Sequence, residues 1–86
     1  MASSTLSLDK DWTLAATADG EVSVTVFALG TQLHWWVTDD DTPPVIAKSI
    51  APYEFERIDM VLADGQRLWV QTASGAEVDG SVTTDG

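Results

Sequence analysis

The chain of 86 residues contains no cysteine, and His34 is its only histidine. Disulfide bonds are therefore excluded, and a zinc site of the usual kind lacks its ligands. Small secreted domains normally carry cysteines, so their absence favours assembly inside a cell. A domain of this size buries only about 60–65% of its unfolded surface and needs reinforcement. Oligomerisation is the reinforcement that this composition favours.

Basic residues are also scarce. Four lysines and arginines stand against 14 aspartates and glutamates, which gives a net charge of −10 at pH 7. Binding to a phosphate backbone needs clustered lysine and arginine, so no nucleic-acid partner is predicted. Adhesion to an anionic membrane surface is excluded for the same reason. The acidic balance instead favours docking on a basic protein surface.

Signals for membrane insertion, secretion and catalysis are absent from the sequence as well. No apolar run approaches the roughly 18 residues of a membrane helix. Residues 1–4 have no basic n-region and no apolar segment follows them, so no signal peptide is predicted. The glycines occur singly rather than in a phosphate-binding loop, and no nucleophile elbow is present. We therefore predict a non-enzymatic protein without catalytic residues, cofactor or metal.

What the sequence does contain is alternation of apolar and polar residues with a period of two. It is clearest in residues 21–27, where Val22, Val24 and Val26 share one face. Turn signals recur about every 8–12 residues, the spacing of sandwiches and barrels. The prediction is an all-β fold, a small antiparallel β-sandwich or barrel of about six to seven short strands. These strands are expected in residues 12–15, 21–27, 33–38, 45–47, 56–62, 67–72 and 76–83.

The turns and ends of the chain complete this prediction. Asp19-Gly20 and Asp64-Gly65 supply the positive φ that hairpin turns need. Gly80 marks a bulge in the last strand. Residues 1–8 are rich in serine and threonine and are expected to form a flexible N-terminal arm, which either is disordered or lies on a neighbouring subunit. Residues 9–83 form a single β domain, and residues 84–86 a C-terminal tail.

Two adjacent tryptophans dominate the strand at residues 33–38. Because side chains alternate along a strand, Trp35 and Trp36 must point to opposite faces. Trp35 is predicted to fill the core with Leu33 and Val37, so Trp36 needs a second cover. The same face is predicted to hold three further residues, Phe27, His34 and Trp69.

Three origins of this surplus aromatic face remain open. The strands can be covered on both sides within one sandwich, or the face can form a subunit interface, where tryptophan and phenylalanine are enriched. Alternatively, Trp36, Trp69 and Tyr53 can form a platform that stacks on sugars. His34 is expected to pack or to donate a hydrogen bond at an interface.

An acidic turn follows this strand, with Asp39, Asp40 and Asp41 leading into Pro43 and Pro44. Three carboxylates can attract a hard cation, but calcium needs six to eight oxygens and the EF-hand spacing is absent. A solvated turn, or an acidic patch that meets a basic partner, is favoured over a metal site.

The order of these features resembles the small all-β virion proteins of tailed bacteriophages, which include head-decoration (cement) proteins and short fibre or adaptor modules. The resemblance covers roughly residues 12–83. Its elements are Trp12-Thr13-Leu14, the valine-alternating strand, the strand that ends in Asp41-Thr42-Pro43-Pro44, then Arg57-Ile58, Asp64-Gly65 and Leu68-Trp69, and last a valine-rich closing strand. The Trp35-Trp36 pair and the extra acids Asp39 and Asp40 are not assumed to be shared with that family.

The resemblance implies a structural protein that assembles into the virion in the host cytoplasm. It would be a homotrimer on the capsid surface that bridges subunits of the major capsid protein. The expected interface residues are Phe27, His34, Trp36, Trp69, Asp39, Asp40 and Asp41, an assignment that comes from their side chains rather than from the family. Two alternatives are a tail fibre or baseplate adaptor module and a carbohydrate-binding β-sandwich.

Overall fold

The computed structural model describes residues 2–86, apart from the side chain of Lys48, and is built almost entirely of strands. Six strands form one antiparallel sheet that curls into a half-barrel, as the alternation predicts. One turn of 3₁₀ helix at Lys48–Ile50 is the only helical segment among the described residues. The strands are β1 (Ala2–Leu8), β2 (Thr13–Thr17), β3 (Val22–Thr38), β4 (Tyr53–Leu62), β5 (Arg67–Thr72) and β6 (Val78–Asp85).

The long strand β3 is the centre of the sheet and pairs with three other strands. The first half of β3 pairs with β6 and its second half with β5, while β4 runs along the other side of both halves. On the far side, β1 pairs with β6 and β2 pairs with β5. The sheet therefore has two halves, one around β1 and β6 and the other around β2 and β5, joined through β3 and β4.

The sheet bends where β3 and β4 lose register. Between the pairs Phe27↔Arg57 and Gln32↔Phe55, four residues of β3 lie opposite Glu56 alone. Gly30 and Glu56 both have positive φ, and the Gly30 amide donates to Glu56 Oε2 at 2.6 Å. This bulge reverses which residues of β3 face inward, from even-numbered before the bend to odd-numbered after it.

The bend brings the two ends of the sheet together. The two turns that carry Asp-Gly contact each other, because Ala18 N donates to Gln66 O and Gly65 N donates to Ala18 O. Gly20 N also donates to Asp64 Oδ1. Gly20 and Gly65 have the predicted positive φ. However, these turns are not hairpins, since β2 pairs with β5 and not with β3, and β4 pairs with β3 and not with β5.

The core lies between the two halves of the sheet. Trp35 and Val37 pack against it beside the fully buried Leu33, which confirms the predicted inward face of that strand. Because the even-numbered valines come from one half and Leu33 from the other, the bend is what closes the core. Its buried members are Leu8, Ala16, Ala18, Val24, Val26, Ala28, Leu33, Ile58, Leu62, Leu68, Val70 and Val82.

Three predictions about the first and last strands of the chain are wrong. Residues 2–8, predicted as a flexible arm, form β1, and Leu8 is buried in the core. Residues 84 and 85, predicted as a tail, belong to β6. The register of β1 with β6 is continuous through Gly80, so the predicted bulge there is wrong. Gly80 instead allows close packing, because a Cβ at this position would lie 2.7 Å from the Phe27 carbonyl oxygen.

No helix among residues 2–86 is long and apolar enough to cross a membrane.

Candidate binding surface

The outer face of the β2–β5–β3 half gathers three of the four predicted aromatic-face residues. Trp36 and Trp69 are directly paired across β3 and β5, so their side chains point to the same side of the sheet. His34 is paired with Gln71 on one side and with Tyr53 on the other. The sequence prediction that these residues share a face therefore holds for His34, Trp36 and Trp69.

Trp69 is nevertheless buried within its own chain, with 6% of its surface exposed. Its ring Nε1 donates to Thr38 Oγ1 at 2.8 Å, and the Thr38 hydroxyl in turn donates to the Asp40 carbonyl at 2.8 Å. A buried indole N–H needs such a partner. This leaves Trp69 almost no surface to offer to a second molecule.

His34 is likewise buried and has intramolecular contacts. Its Nδ1 lies 3.2 Å from the Ala51 carbonyl oxygen, and its ring meets the Tyr53 ring edge-on at 5.7 Å between centroids. Ala51 itself is buried, and Pro52 O accepts from Trp35 N. The segment between β3 and β4 thus covers part of the outer face, a cover that the sequence prediction assigned to a partner.

The acidic turn is held by Arg67, a contact that the sequence does not predict. Arg67 Nε donates to Asp41 Oδ1 at 3.0 Å and its Nη1 donates to Asp39 O at 2.9 Å. Asp40 Oδ1 accepts from Thr42 N at 2.9 Å and so closes the turn. The carboxylates of Asp39, Asp40 and Asp41 are exposed and belong to no metal-holding group among the described residues.

Exposed apolar side chains concentrate on the outside of the β3–β4 pair. Tyr53 and Phe55 alternate outward on β4, with 60% and 63% of their surfaces exposed, and Trp36 remains 36% exposed. Phe27 and Leu29 continue the exposed apolar surface on the other side of the bend in β3. We call these five residues the apolar belt: Phe27, Leu29, Trp36, Tyr53 and Phe55.

Only part of this belt was predictable from the sequence. Phe27 and Trp36 are predicted interface residues, and Tyr53 is predicted only as part of a platform that stacks on sugars. Phe55 was missed because residues 50–54 resembled a loop, although Tyr53, Phe55 and Arg57 follow a period of two. Leu29 was missed because the bend makes a turn-like segment part of β3.

Charged side chains lie beside the belt on β4. Arg57 Nε and Asp59 Oδ2 form an exposed ion pair at 2.7 Å, and Thr25 Oγ1 donates to Asp59 Oδ1 at 2.7 Å. The hydrogen bond from Arg57, followed by that from Thr25, lowers the pKa of Asp59. The same pair raises the pKa of Arg57. Glu54 lies on the opposite face of β4 from Tyr53 and Phe55, and the Glu56 carboxylate accepts from Gly30 N. The charges next to the belt are therefore those of the Arg57–Asp59 pair, which together are neutral.

No family model, curated protein or solved structure matches this chain.

Proposed function

We propose that this chain is a non-enzymatic virion structural protein, a capsid decoration protein that docks on the major capsid protein through its apolar belt. The observation that carries the proposal is the exposure of the belt, five of the six exposed large apolar side chains on the β3–β4 pair of a small acidic domain. Exposed apolar surface of this size usually marks a site of protein interaction. The location on the virion, with assembly in the cytoplasm of the host cell, is what the resemblance implies.

The area of the belt suits this role. Its five side chains leave on the order of 600 Å² exposed, if a large side chain has roughly 200 Å² in total. Each partner in an interface of standard size buries about 800 Å². The belt together with a polar border is therefore large enough to form such an interface. Exposed aromatic residues on a chain of net charge −10 fit a partner surface that has an apolar centre and basic residues around it.

Decoration then strengthens the shell by bridging. When one copy contacts two neighbouring capsid subunits, binding to the first subunit raises its effective concentration at the second. Two weak contacts then hold the subunits together without any single strong contact. Three-fold association is implied by the resemblance alone and is not required for docking through the belt. Of the predicted interface residues, Phe27, Trp36 and the three aspartates are exposed, whereas His34 and Trp69 are not.

A binding assay on capsid shells tests the belt. The shells are assembled from the major capsid protein encoded near the gene for this chain. A genome with no capsid or terminase gene beside the gene for this chain would itself oppose the proposal. We expect the double variant Tyr53→Ser, Phe55→Ser to bind shells at least tenfold more weakly, because each buried aromatic side chain contributes about 1.5–3 kcal/mol. Val45→Ser is the matched control, since Val45 is fully exposed outside the belt. Unchanged binding of the double variant would overturn the proposal.

A tail fibre or baseplate adaptor module would use the same belt against a tail protein. Mass spectrometry of separated heads and tails distinguishes the two locations. Decoration predicts recovery with heads, and recovery only with tails would replace capsid decoration by the adaptor function.

Carbohydrate binding is a second candidate because Tyr53 and Phe55 expose their rings on one face, two residues apart on β4. Exposed aromatic rings also stack on sugars. A glycan array tests this candidate, with Tyr53→Ser, Phe55→Ser as the variant and Val45→Ser as the control. A signal that the double variant abolishes would favour this candidate over decoration, and no signal with the unmodified chain would remove it.

A further inference from the structure

The β1 edge of the sheet is long, regular and uncharged. None of its seven residues carries a charge, and among residues 2–86 it pairs only with β6. Its register with β6 is unbroken from Ala2↔Thr84 to Leu8↔Val78. Strand edges of this kind present a row of unpaired amides and carbonyls and are templates for another strand.

The other edges are protected against such pairing. β4 carries four charged residues among ten and is bent at Glu56. β2 has only five residues, and its register shifts between Leu14 and Ala16. Charge, bulges and short length are the usual means by which natural sheets prevent edge pairing. β1 has none of these protections.

We infer that two copies of this chain associate through their β1 strands, paired antiparallel about a two-fold axis at Thr5. The net charge of −10 opposes self-association over most of the surface, and the uncharged β1 edge is where two copies can approach most closely. An isologous strand pair is self-complementary by symmetry, and no second kind of partner is needed.

This register places compatible side chains opposite each other. On the outer face Thr5 meets Thr5 of the second copy, and Ser3 meets Ser7. Cross-strand hydroxyl pairs of this kind stabilise sheets. Ser3 Oγ already lies 3.0 Å from Thr83 Oγ1 on β6, so the added strand extends an existing row of hydroxyl groups. On the inner face, Ser4 meets Leu6 of the second copy.

A groove beside β1 can take one side chain of the added strand. A groove of about 290 Å³ lies between β1 and β2 and is lined mainly by small side chains. Ser4 forms one wall, and Ala15 and Ala16 form the other. The Leu6 side chain of the second copy lies opposite Ser4 and therefore at the mouth of this groove.

Sedimentation velocity over a range of concentrations tests the pairing. We expect a monomer–dimer equilibrium for the unmodified chain and a dissociation constant raised tenfold or more by Thr5→Lys, because two lysines then oppose each other at the axis. Thr5 is exposed, so the monomer should keep its fold. Ser23→Lys is the matched control, since it makes the same charge change at an exposed residue of β3, inside the sheet. Both variants reduce the net negative charge, so a general loss of repulsion cannot explain a weaker dimer.

A charge-swap experiment and a cross-link identify the register. An equimolar mixture of Thr5→Lys and Thr5→Glu should form heterodimers. Thr5→Cys provides the only thiol of the chain, and paired residues about 4.5–5.5 Å apart at Cα suit a disulfide. Air oxidation should therefore link two copies through Thr5→Cys but not through Ser23→Cys.

Several results would overturn the inference: a monomer at every soluble concentration, a trimer, or a dimer equally stable in Thr5→Lys and Ser23→Lys. The inference does not rest on the proposed function. The β1 variants leave the apolar belt intact, so self-association and capsid binding can fail separately.

Discussion

The strands β1 and β4 form two edges of the same sheet, but they differ in charge, in bending and in the size of their side chains. β4 has four charged residues, a bend at Glu56 and large apolar side chains that point outward. β1 has no charge, no bend and mostly small hydroxyl side chains. β4 is therefore suited to contacts through its side chains, and β1 to backbone pairing with another strand.

This difference separates two kinds of interaction surface. A bent, charged strand resists the addition of another strand, so its partners must bind the side chains. A straight, neutral strand offers little side-chain surface but an open row of hydrogen-bonding groups. We therefore expect the two edges to serve different partners, a larger protein at the apolar belt and a second copy at β1.

The largest effect is expected from Leu8→Ala, which removes the buried side chain that anchors β1 to the core. Deleting a buried leucine side chain costs about 2–5 kcal/mol, and this loss should appear in the free energy of unfolding measured with urea. Leu14→Ala, at a more exposed position on β2, should cost much less. A negligible cost for Leu8→Ala would mean that residues 2–8 form a flexible arm after all.

A smaller effect is expected at the bend that distinguishes β4. Glu56→Ala removes the charged acceptor of the Gly30 amide and should cost about 1–3 kcal/mol for the lost hydrogen bond. The backbone strain is unchanged, because residue 56 has positive φ in both chains. Glu56→Gly also loses the hydrogen bond but relieves the backbone strain, and should be the more stable of the two. Thermal denaturation of both variants measures this order, and the reverse order would show that the backbone at residue 56 is unstrained.

The smallest effect concerns the exposed ion pair on β4. Because Arg57 and Thr25 lower the pKa of Asp59 in the folded chain, this carboxylate stabilises the fold above its ordinary pKa of 3.8. That stabilisation is lost as the pH falls through the lowered pKa. The melting-temperature difference between the unmodified chain and Asp59→Asn should therefore be small at pH 7 and vanish in strong acid. A difference that grows on acidification would contradict this account.

The sequence was sufficient to predict the all-β class and several strands. Residues 67–72 form the predicted strand, and Leu33, Trp35 and Val37 face inward as expected. These predictions succeeded because alternation with a period of two is a local signal. The two strands predicted at residues 21–27 and 33–38 are instead one bent strand, because local patterns do not show that β4 pairs with both halves.

The surface was harder to predict than the strands. Burial of Trp69 depends on Thr38 and on the turn that Arg67 holds, and these contacts join residues about 30 positions apart in sequence. β1 was missed because serine and threonine carry little apolar periodicity, and its pairing partner is the opposite end of the chain. Such long-range contacts are not visible in local sequence patterns.

Hydrogen–deuterium exchange at low and high protein concentration tests most directly whether β1, and not β4, is the edge that pairs. Peptides from β1 should exchange more slowly as the concentration rises, because pairing protects amides that face solvent in the monomer. Peptides from β4 should show no change. Protection that appears in β4 and not in β1, or in neither strand, would contradict the account.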